Sequence, residues 1–249
     1  MKKSGQITIF IIVAIILIIV IIFFFILRYQ ENRDLDNNQR VIYDYVYNCV
    51  GLVSEQGIFY IGIQGGYNQV PNPKSNYSLV EIPLYWKNGN TYLPKKNRIE
   101  SEINDYIKDS LPYCINGFES FKNQDYIFDI SDISVESSIE KNKIDVAVNF
   151  PFSVRKGKNV WKFEKFSAVL DSRLDKAINF SSMIISEQKK YPNSLPIGFI
   201  MNLANKNNFD FEIISLEDNE ILIELVFDKD SGKPFAYAFI NKYNWEEII

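Results

Sequence analysis

Two cysteines carry the clearest chemistry in this sequence. Cys49 and Cys114 are the only thiols among the 249 residues, and a cysteine pair in an oxidising compartment forms a disulfide. A bridge that closes the loop between them would contribute roughly 4 kcal/mol in the chain-entropy model. The alternative is two separate buried thiols that act as small apolar core residues. We predict the bridge.

Other reactive groups form no site that the sequence singles out. The chain has no histidine, which excludes Ser-His-Asp and Cys-His catalysis and the usual zinc centres. The stretch Asp228–Lys233, "DKDSGK", begins like a calcium loop but lacks the later oxygen ligands, so a hairpin turn explains it better. Asp125, Asp129 and Asp132 could cluster, as acids in turns and at strand edges often do. We predict no catalytic, metal-binding or cofactor-binding residue, and no enzyme; a carboxylate-dependent hydrolase is the remote alternative.

Charge and sequons describe the surface of the chain. There are 27 basic and 31 acidic residues, a net charge of −4. This mild acidic excess argues against a nucleic-acid partner, which requires a basic surface. Two Asn-x-Ser sequons mark Asn76 and Asn179 as N-glycosylation acceptors if the chain is exported. Asn76, which falls in a predicted loop, is the better candidate.

Helical periodicity predicts the element that positions Cys49. From Val41 onward, apolar residues recur at spacings of three and four, and the pattern continues to Gln64. Gly65 and Gly66 follow and can supply a left-handed helix cap.

Three tyrosines lie on the same predicted helix. Tyr43 and Tyr47 share one face, while Tyr45 joins the buried stripe. We expect them to pack against their own domain. A contact with another subunit is the alternative.

A second helix is predicted to position Cys114. It starts at Asn97, with Glu100 completing a capping-box-like pair. Its buried stripe is Ile99, Ile103, Ile107 and Leu111. The apolar side continues past Pro112 as far as Gly117.

The remaining patterns alternate between strands and helices. Asn88-Gly89 predicts a hairpin, and residues 125–170 predict a β-meander in which Ile144 to Val154 alternate onto one face. Helices are predicted at about 171–190 and 197–206, followed by three strands, "FDFEII", "EILIELVF" and "PFAYAFI". This order predicts an α+β fold in which helices pack against antiparallel sheet.

The N-terminus contains an apolar segment long enough to cross a membrane. Ile7 to Leu27 carry no charge, and as a helix they would extend about 30 Å, the thickness of the hydrocarbon core. The run is too long for a cleavable secretory signal and ends in bulky residues where a small-x-small cleavage site would be needed. We predict a transmembrane helix at 1–27 with its short basic leader, which continues into a polar stalk at 28–40.

The flanking charges bear on the orientation of this helix. Lys2 and Lys3 precede it, and arginines among acidic residues follow it, so the count of basic residues is nearly balanced. The short leading tail and the cysteine pair favour a cytoplasmic N-terminus. Residues 41–249 are then an extracellular domain of a single-pass protein of the cell membrane.

The residues around Gly5 and Gln6 resemble the processing site of archaeal type IV prepilins. The matching stretch is Lys3-Ser4-Gly5-Gln6-Ile7-Thr8. The resemblance implies that a dedicated peptidase cuts between Gly5 and Gln6 and leaves the apolar helix on the mature chain. The match departs from many pilins in having Phe10 where they carry Glu.

The whole chain resembles single-pass surface proteins of small-genome archaea. The residues that carry this resemblance are Cys49, Gly57, Gln64-Gly65-Gly66-Tyr67 and Phe239-Ile240-Asn241-Lys242-Tyr243. It implies location and architecture and no activity.

Together these patterns lead to a membrane-anchored cell-surface protein with a structural or adhesive role, either a pilin-like subunit or a non-filamentous ectodomain that binds a partner or ligand. The expected partners are the lipid bilayer and a second copy or another surface protein, without a cofactor.

Overall fold

The computed structural model describes residues 37–245. The predicted span Ile7–Leu27, the Gly5-Gln6 processing site and most of the polar stalk lie outside these residues. The chain divides into two compact units, of which the first ends at Ile42 and the second begins at Tyr43. The described residues of the first unit, 37–42, are helical, and the second unit contains all the described strands.

The described chain contains four α-helices, ten strands and two 3-10 helices, at Asn116–Gln124 and Lys229–Ser231. The helices are α1 (Asn37–Ile63), α2 (Lys96–Ile115), α3 (Leu174–Gln188) and α4 (Ile197–Asn207). The strands are β1 (Lys74–Tyr77), β2 (Val80–Lys87), β3 (Asn90–Thr91), β4 (Ile127–Ile130), β5 (Ser134–Glu140), β6 (Lys143–Lys156), β7 (Asn159–Asp171), β8 (Asp210–Ser215), β9 (Glu220–Phe227) and β10 (Phe235–Lys242). The predicted α+β class is confirmed.

Helix α1 ends where its sequence predicts. The N–H of Gly66 donates to the carbonyl of Ile61 over 2.8 Å, and the N–H of Gly65 donates to Gly62 over 3.0 Å. Both Gly65 and Gly66 have positive φ, so the end is a Schellman motif that only glycine adopts without strain. Gly62 itself lies against strand β10, where an added Cβ would come within 2.5 Å of the Ala236 carbonyl oxygen.

Helix α2 has the predicted buried stripe but not the predicted cap. Its four stripe residues, Ile99 to Leu111, are fully buried. The helix begins at Lys96, and no side chain caps its N-terminus, so the capping-box prediction at Asn97 and Glu100 is wrong. The Glu100 carboxylate instead accepts the N–H of Ile139 in β5 over 2.9 Å, because tertiary packing gives it a backbone donor other than the helix end.

A six-stranded sheet combines the first three and the last three of the described strands. Its strands lie in the order β1-β2-β10-β9-β8, with β3 paired to β2. The β2–β3 hairpin turns at Asn88-Gly89, both with positive φ, as predicted. Strands β2 and β10 run parallel, so the sheet is mixed and the prediction of a purely antiparallel sheet is wrong. These strands are joined by a connection that contains the whole second sheet and three helices, a length at which parallel pairing carries no steric penalty.

A four-stranded antiparallel sheet is built around the long strand β6. Strand β7 pairs along one side of β6, while β5 and β4 pair with its first and second halves on the other side. The β5-β6-β7 part is the predicted meander. The side chains from Ile144 to Val154 that were predicted to share one face are buried, as expected.

The six-stranded sheet buries both of its faces. On one face Tyr85, Tyr237 and Phe239 pack together, and the Tyr85 hydroxyl donates to the carbonyl of Gly65 at the end of α1 over 2.6 Å. On the other face lies a separate buried cluster: Ile82, Leu84, Leu222, Ala238 and Ile240.

Helix α3 is held to the first face by a buried glutamine. The Gln188 carbonyl oxygen accepts bonds from the Asn241 amide over 3.3 Å and the Tyr243 hydroxyl over 2.6 Å. Its amide donates to the carbonyls of Tyr191 and Ser194 in the loop after the helix. Because an unpaired buried amide would be costly, this network positions both the helix and its loop.

We expect Tyr85→Phe to lower the free energy of unfolding by about 1–3 kcal/mol, because it leaves the buried Gly65 carbonyl without a donor. The Tyr237 hydroxyl, which lies 2.7 Å from that of Tyr85, loses its acceptor as well. Tyr77→Phe is the matched control, since Tyr77 is partly exposed on β1. Urea unfolding of the full chain in detergent micelles measures both. Equal stability of the two variants would contradict this role for Tyr85.

Candidate functional site

The structure joins Cys49 of α1 and Cys114 of α2 in a disulfide, with Cα atoms 5.7 Å apart. The bridge, not two separate thiols, is therefore the arrangement in this fold. Next to it, the Tyr45 hydroxyl donates to the carbonyls of Cys114 and Ile115, over 3.2 and 3.0 Å. One turn of α1 thus holds the C-terminal end of α2 by a covalent bond and by hydrogen bonds.

The tyrosines of α1 mainly pack within their own domain. The ring of Tyr45 contacts Phe121 edge-on at 5.3 Å between centroids. Tyr43 stacks on Phe166 of β7 at 5.2 Å. Tyr47 stacks on Tyr43 and remains 46% exposed, so it is the member of the three that a partner could reach.

The three aspartates around β4 do not form a metal site. Asp125 precedes the strand with positive φ, Asp129 is exposed on it, and Asp132 lies beyond its end. Among residues 37–245, no group of three His, Cys, Asp or Glu side chains is arranged to hold a metal ion.

The "DKDSGK" stretch is a turn between β9 and β10. Asp228 accepts a bond from the guanidinium of Arg173 over 2.7 Å, and the Ser231 hydroxyl donates to the Asp228 carbonyl. Lys233 pairs with Glu55 of α1 over 2.7 Å. The oxygen atoms of this turn therefore stabilise the turn and its contacts.

A groove runs between the C-terminal half of α2 and the loop from β4 to β5. Its volume is about 470 Å³. Its apolar lining is Pro112, Tyr113, Ile115, Ile130, Ile133 and Phe150, and its charged rim is Lys108, Asp109 and Asp132. Tyr113 is 85% exposed, so its aromatic ring is accessible at the mouth of the groove. Apolar walls with a few charges at the rim are typical of a binding surface.

This groove was missed by sequence reasoning. Tyr113 was not among the residues that the sequence pattern of α2 singled out, and Ile130 and Ile133 belong to a short strand and the loop after it. Their meeting depends on how α2 packs on β5, a contact between segments that are not adjacent in sequence. Asp132, which the sequence singled out as part of an acidic cluster, contributes to the rim instead.

A second feature that sequence reasoning missed is a pair of facing carboxylates. Glu212 of β8 and Glu224 of β9 lie directly opposite each other in the antiparallel ladder. Burial raises the pKa of Glu224, and the charge of Glu212 raises it further. The register of the β8–β9 hairpin brings the two together, and the sequence reasoning did not assign that register. Within 37–245, no third His, Cys, Asp or Glu side chain joins the pair in a metal-holding arrangement.

Both sequons are exposed at their asparagines. Asn76 lies on β1, where the sequence pattern predicted a loop, and Asn179 lies in the middle of helix α3. Ser181 of the second sequon is buried and donates to the carbonyl of Ile178. The glycosylation of both residues stays a prediction, with Asn76 the more accessible sequon.

Within the described part of the chain, no helix combines the length and apolar character that crossing a membrane requires. The predicted span lies outside that part. No family model, curated protein or solved structure matches the chain. Function is therefore inferred from the residues and their geometry.

We expect the double variant Cys49→Ser/Cys114→Ser to lose roughly 4 kcal/mol of unfolding free energy, because the unfolded chain is no longer closed into a 65-residue loop. Denaturant unfolding of the full chain with and without a thiol reductant measures the loss. The reductant should destabilise the wild type by a similar amount and leave the double variant unchanged. A wild type that is indifferent to the reductant would contradict this role of the bridge.

We expect Glu224→Gln to raise the free energy of unfolding at pH 7 by about 0.2–1 kcal/mol, the size of a repulsion between facing like charges. The folded state raises the pKa of Glu224, so it favours the protonated form. As the pH rises above the ordinary pKa of glutamate, the folded state is progressively destabilised, and the loss is complete above the raised pKa. The gain should shrink as the pH falls and vanish below the ordinary pKa of glutamate, about 4.3.

Glu212→Gln should produce part of the same gain, because it removes the facing charge. Glu217→Gln, an exposed carboxylate in the β8–β9 turn, is the control and should change little. Unfolding of the three variants between pH 3 and 8 measures the effect. A gain that is independent of pH would contradict the assignment to ionisation.

Proposed function

We propose that this chain is a single-pass, membrane-anchored protein of the cell surface with a structural or adhesive role. Its N-terminus is cytoplasmic, Ile7–Leu27 spans the lipid bilayer, and the α+β domain lies outside the cell. The observation that carries the proposal is the Cys49–Cys114 disulfide in a chain that contains such an apolar segment. A disulfide between two helices requires an oxidising compartment, which is the outer side of the membrane.

The organisation of the described chain supports a domain whose role is contact, not catalysis. Buried polar side chains such as Gln188 and Tyr85 form bonds that position helices and loops. The accessible features are an apolar groove with an exposed tyrosine and sheet edges. Such features fit the binding of another macromolecule.

In the pilin-like version of this proposal, the N-terminal leader is a processing signal. A peptidase cuts between Gly5 and Gln6, as the resemblance to prepilins implies, and the mature chain keeps its apolar helix for packing with neighbouring subunits.

The second candidate is a signal-anchored ectodomain that does not form filaments and binds a partner through the groove. The groove is the specific observation in its favour, because its apolar walls and the exposed ring of Tyr113 are accessible to a partner. In this version the leader remains on the chain.

The N-terminus of the native protein distinguishes the two versions. We expect mass spectrometry of the membrane and surface fractions to find a chain that begins at Gln6. A chain that begins at Met1 would replace the pilin-like version with the anchored ectodomain. A chain that begins after Leu27 would contradict both, because it would have no anchor.

Gly5→Val is the matched control for this measurement. A branched side chain at the leader's final residue should block a peptidase that requires glycine there. It should not affect the insertion of the apolar segment. The variant should therefore accumulate with its leader in the membrane fraction, at the mass of the uncut chain.

A further inference from the structure

The edge of the four-stranded sheet formed by β7 has no strand beside it. Among the described strands β7 pairs with β6 alone. It runs for 13 residues, from Asn159 to Asp171, and is the longest open edge in the described chain. Its outward N–H and C=O groups form a template on which a further strand can add.

The other strand edges in the two sheets are covered by a helix, are short, or carry charges of a single sign. The edge of β5 is closed by α2, where Glu100 accepts the Ile139 N–H and the Ser137 hydroxyl donates to the Glu100 carbonyl. Strands β1 and β4 have four residues each. Strand β8 carries only acids among its charged side chains, Asp210 and Glu212, so it cannot complement a second copy of itself.

The side chains of β7 change face once, at its centre. In the first half Trp161 and Phe163 point inward, and in the second half Phe166 and Ala168 do. Between them the adjacent residues Glu164 and Lys165 are both exposed. This break in the two-residue alternation determines which registers a partner strand can adopt, because residues directly opposite each other must lie on the same face.

We propose that β7 pairs antiparallel with β7 of a second copy of this chain, about a two-fold axis between Glu164 and Lys165. In this register the inward residues Trp161 and Phe163 lie opposite Ala168 and Phe166 of the other copy. A shift by two residues in either direction places an exposed charge opposite a buried aromatic ring. The register about this axis is therefore the one that keeps the two sheets continuous.

The outward residues of β7 are complementary to themselves in this register. Glu164 of each copy lies opposite Lys165 of the other, and neither forms an ion pair with any residue in 37–245. Val160 lies opposite Val169, and these two side chains are 55% and 67% exposed. Facing opposite charges and facing β-branched residues both stabilise antiparallel pairs.

The lysines on this edge do not oppose the pairing. Edge lysines ordinarily prevent strands from adding. Here Lys162 lies opposite the uncharged Ser167, and Lys158 in the preceding turn lies opposite Asp171. The two-fold axis makes the contact closed, so the product is a dimer and not a fibre.

This inference does not rest on the proposed membrane anchor, because it concerns only the β6–β7 hairpin of the folded domain. The β7 pairing leaves the groove free, since the β4–β5 loop and β7 lie on opposite sides of β6.

Charge reversal tests the pairing. The full chain in detergent micelles is examined by sedimentation velocity over a range of concentrations. We expect the wild type to dimerise. Glu164→Lys and Lys165→Glu should each weaken the dimer by about tenfold or more, because each places like charges opposite each other at both 164–165 contacts. The double variant Glu164→Lys/Lys165→Glu restores both opposite-charge pairs and should return to within about threefold of the wild type.

Glu217→Lys, a charge reversal in the β8–β9 turn of the other sheet, is the matched control and should leave the dimer unchanged. A monomeric wild type would overturn the proposal. So would a dimer that is indifferent to both single reversals, which would point to association through other parts of the chain. A double variant as weak as the single ones would overturn it as well.

The register has an independent test in mixed cysteine variants. In the proposed pairing Val160 faces Val169 of the other copy, whereas the two Val160 residues lie about 30 Å apart. A short thiol crosslinker should therefore join a mixture of Val160→Cys and Val169→Cys chains and should not join either variant alone. The native cysteines do not interfere, since both are in the disulfide. Crosslinking of either variant alone would overturn the register.

Discussion

The attachment of helix α1 to the end of helix α2 is the contact on which the rest of the domain depends. The Cys49–Cys114 bond and the Tyr45 hydroxyl hold the two helices together at one level. From there α1 continues to the six-stranded sheet, where Gly65 accepts the bond from Tyr85. Helix α2 in turn covers the edge of β5 in the four-stranded sheet through Glu100. The two sheets share no strand pairing in the described chain. This helix pair connects them, and helix α3 also contacts β2 of one sheet and β5 of the other.

Buried polar groups give this arrangement its specificity. Glu102 of α2 is buried, yet its carboxylate accepts the N–H groups of Asn68 and Gln69 and pairs with Arg98. It thereby holds the loop that follows α1. Gln188 does the same for the loop after α3. A buried polar group is costly when unpaired, so any alternative packing that broke these bonds would be strongly disfavoured.

The surface of the domain has two separate features suited to contact, and β6 lies between them. On one side is the groove with Tyr113 at its mouth, and on the other is the open edge of β7. A domain that pairs through its edge would keep its groove accessible. This separation fits a surface protein that associates with its own kind and also meets a different partner, under either version of the proposed function.

The sequence by itself determined most helices and strands of the described chain, the helix cap at Gly65-Gly66, the hairpin at Asn88-Gly89 and the buried stripe of α2. Each of these depends on residues within a few positions of one another, so local periodicity and turn chemistry suffice. Only the tertiary structure decided the parallel pairing of β2 with β10, the use of Glu100 as a bond to β5, the facing of Glu212 with Glu224, and the groove beside Tyr113. These depend on which segments meet and in what register. The free energy that selects those contacts belongs to the packed domain as a whole, and no short stretch of the chain contains it.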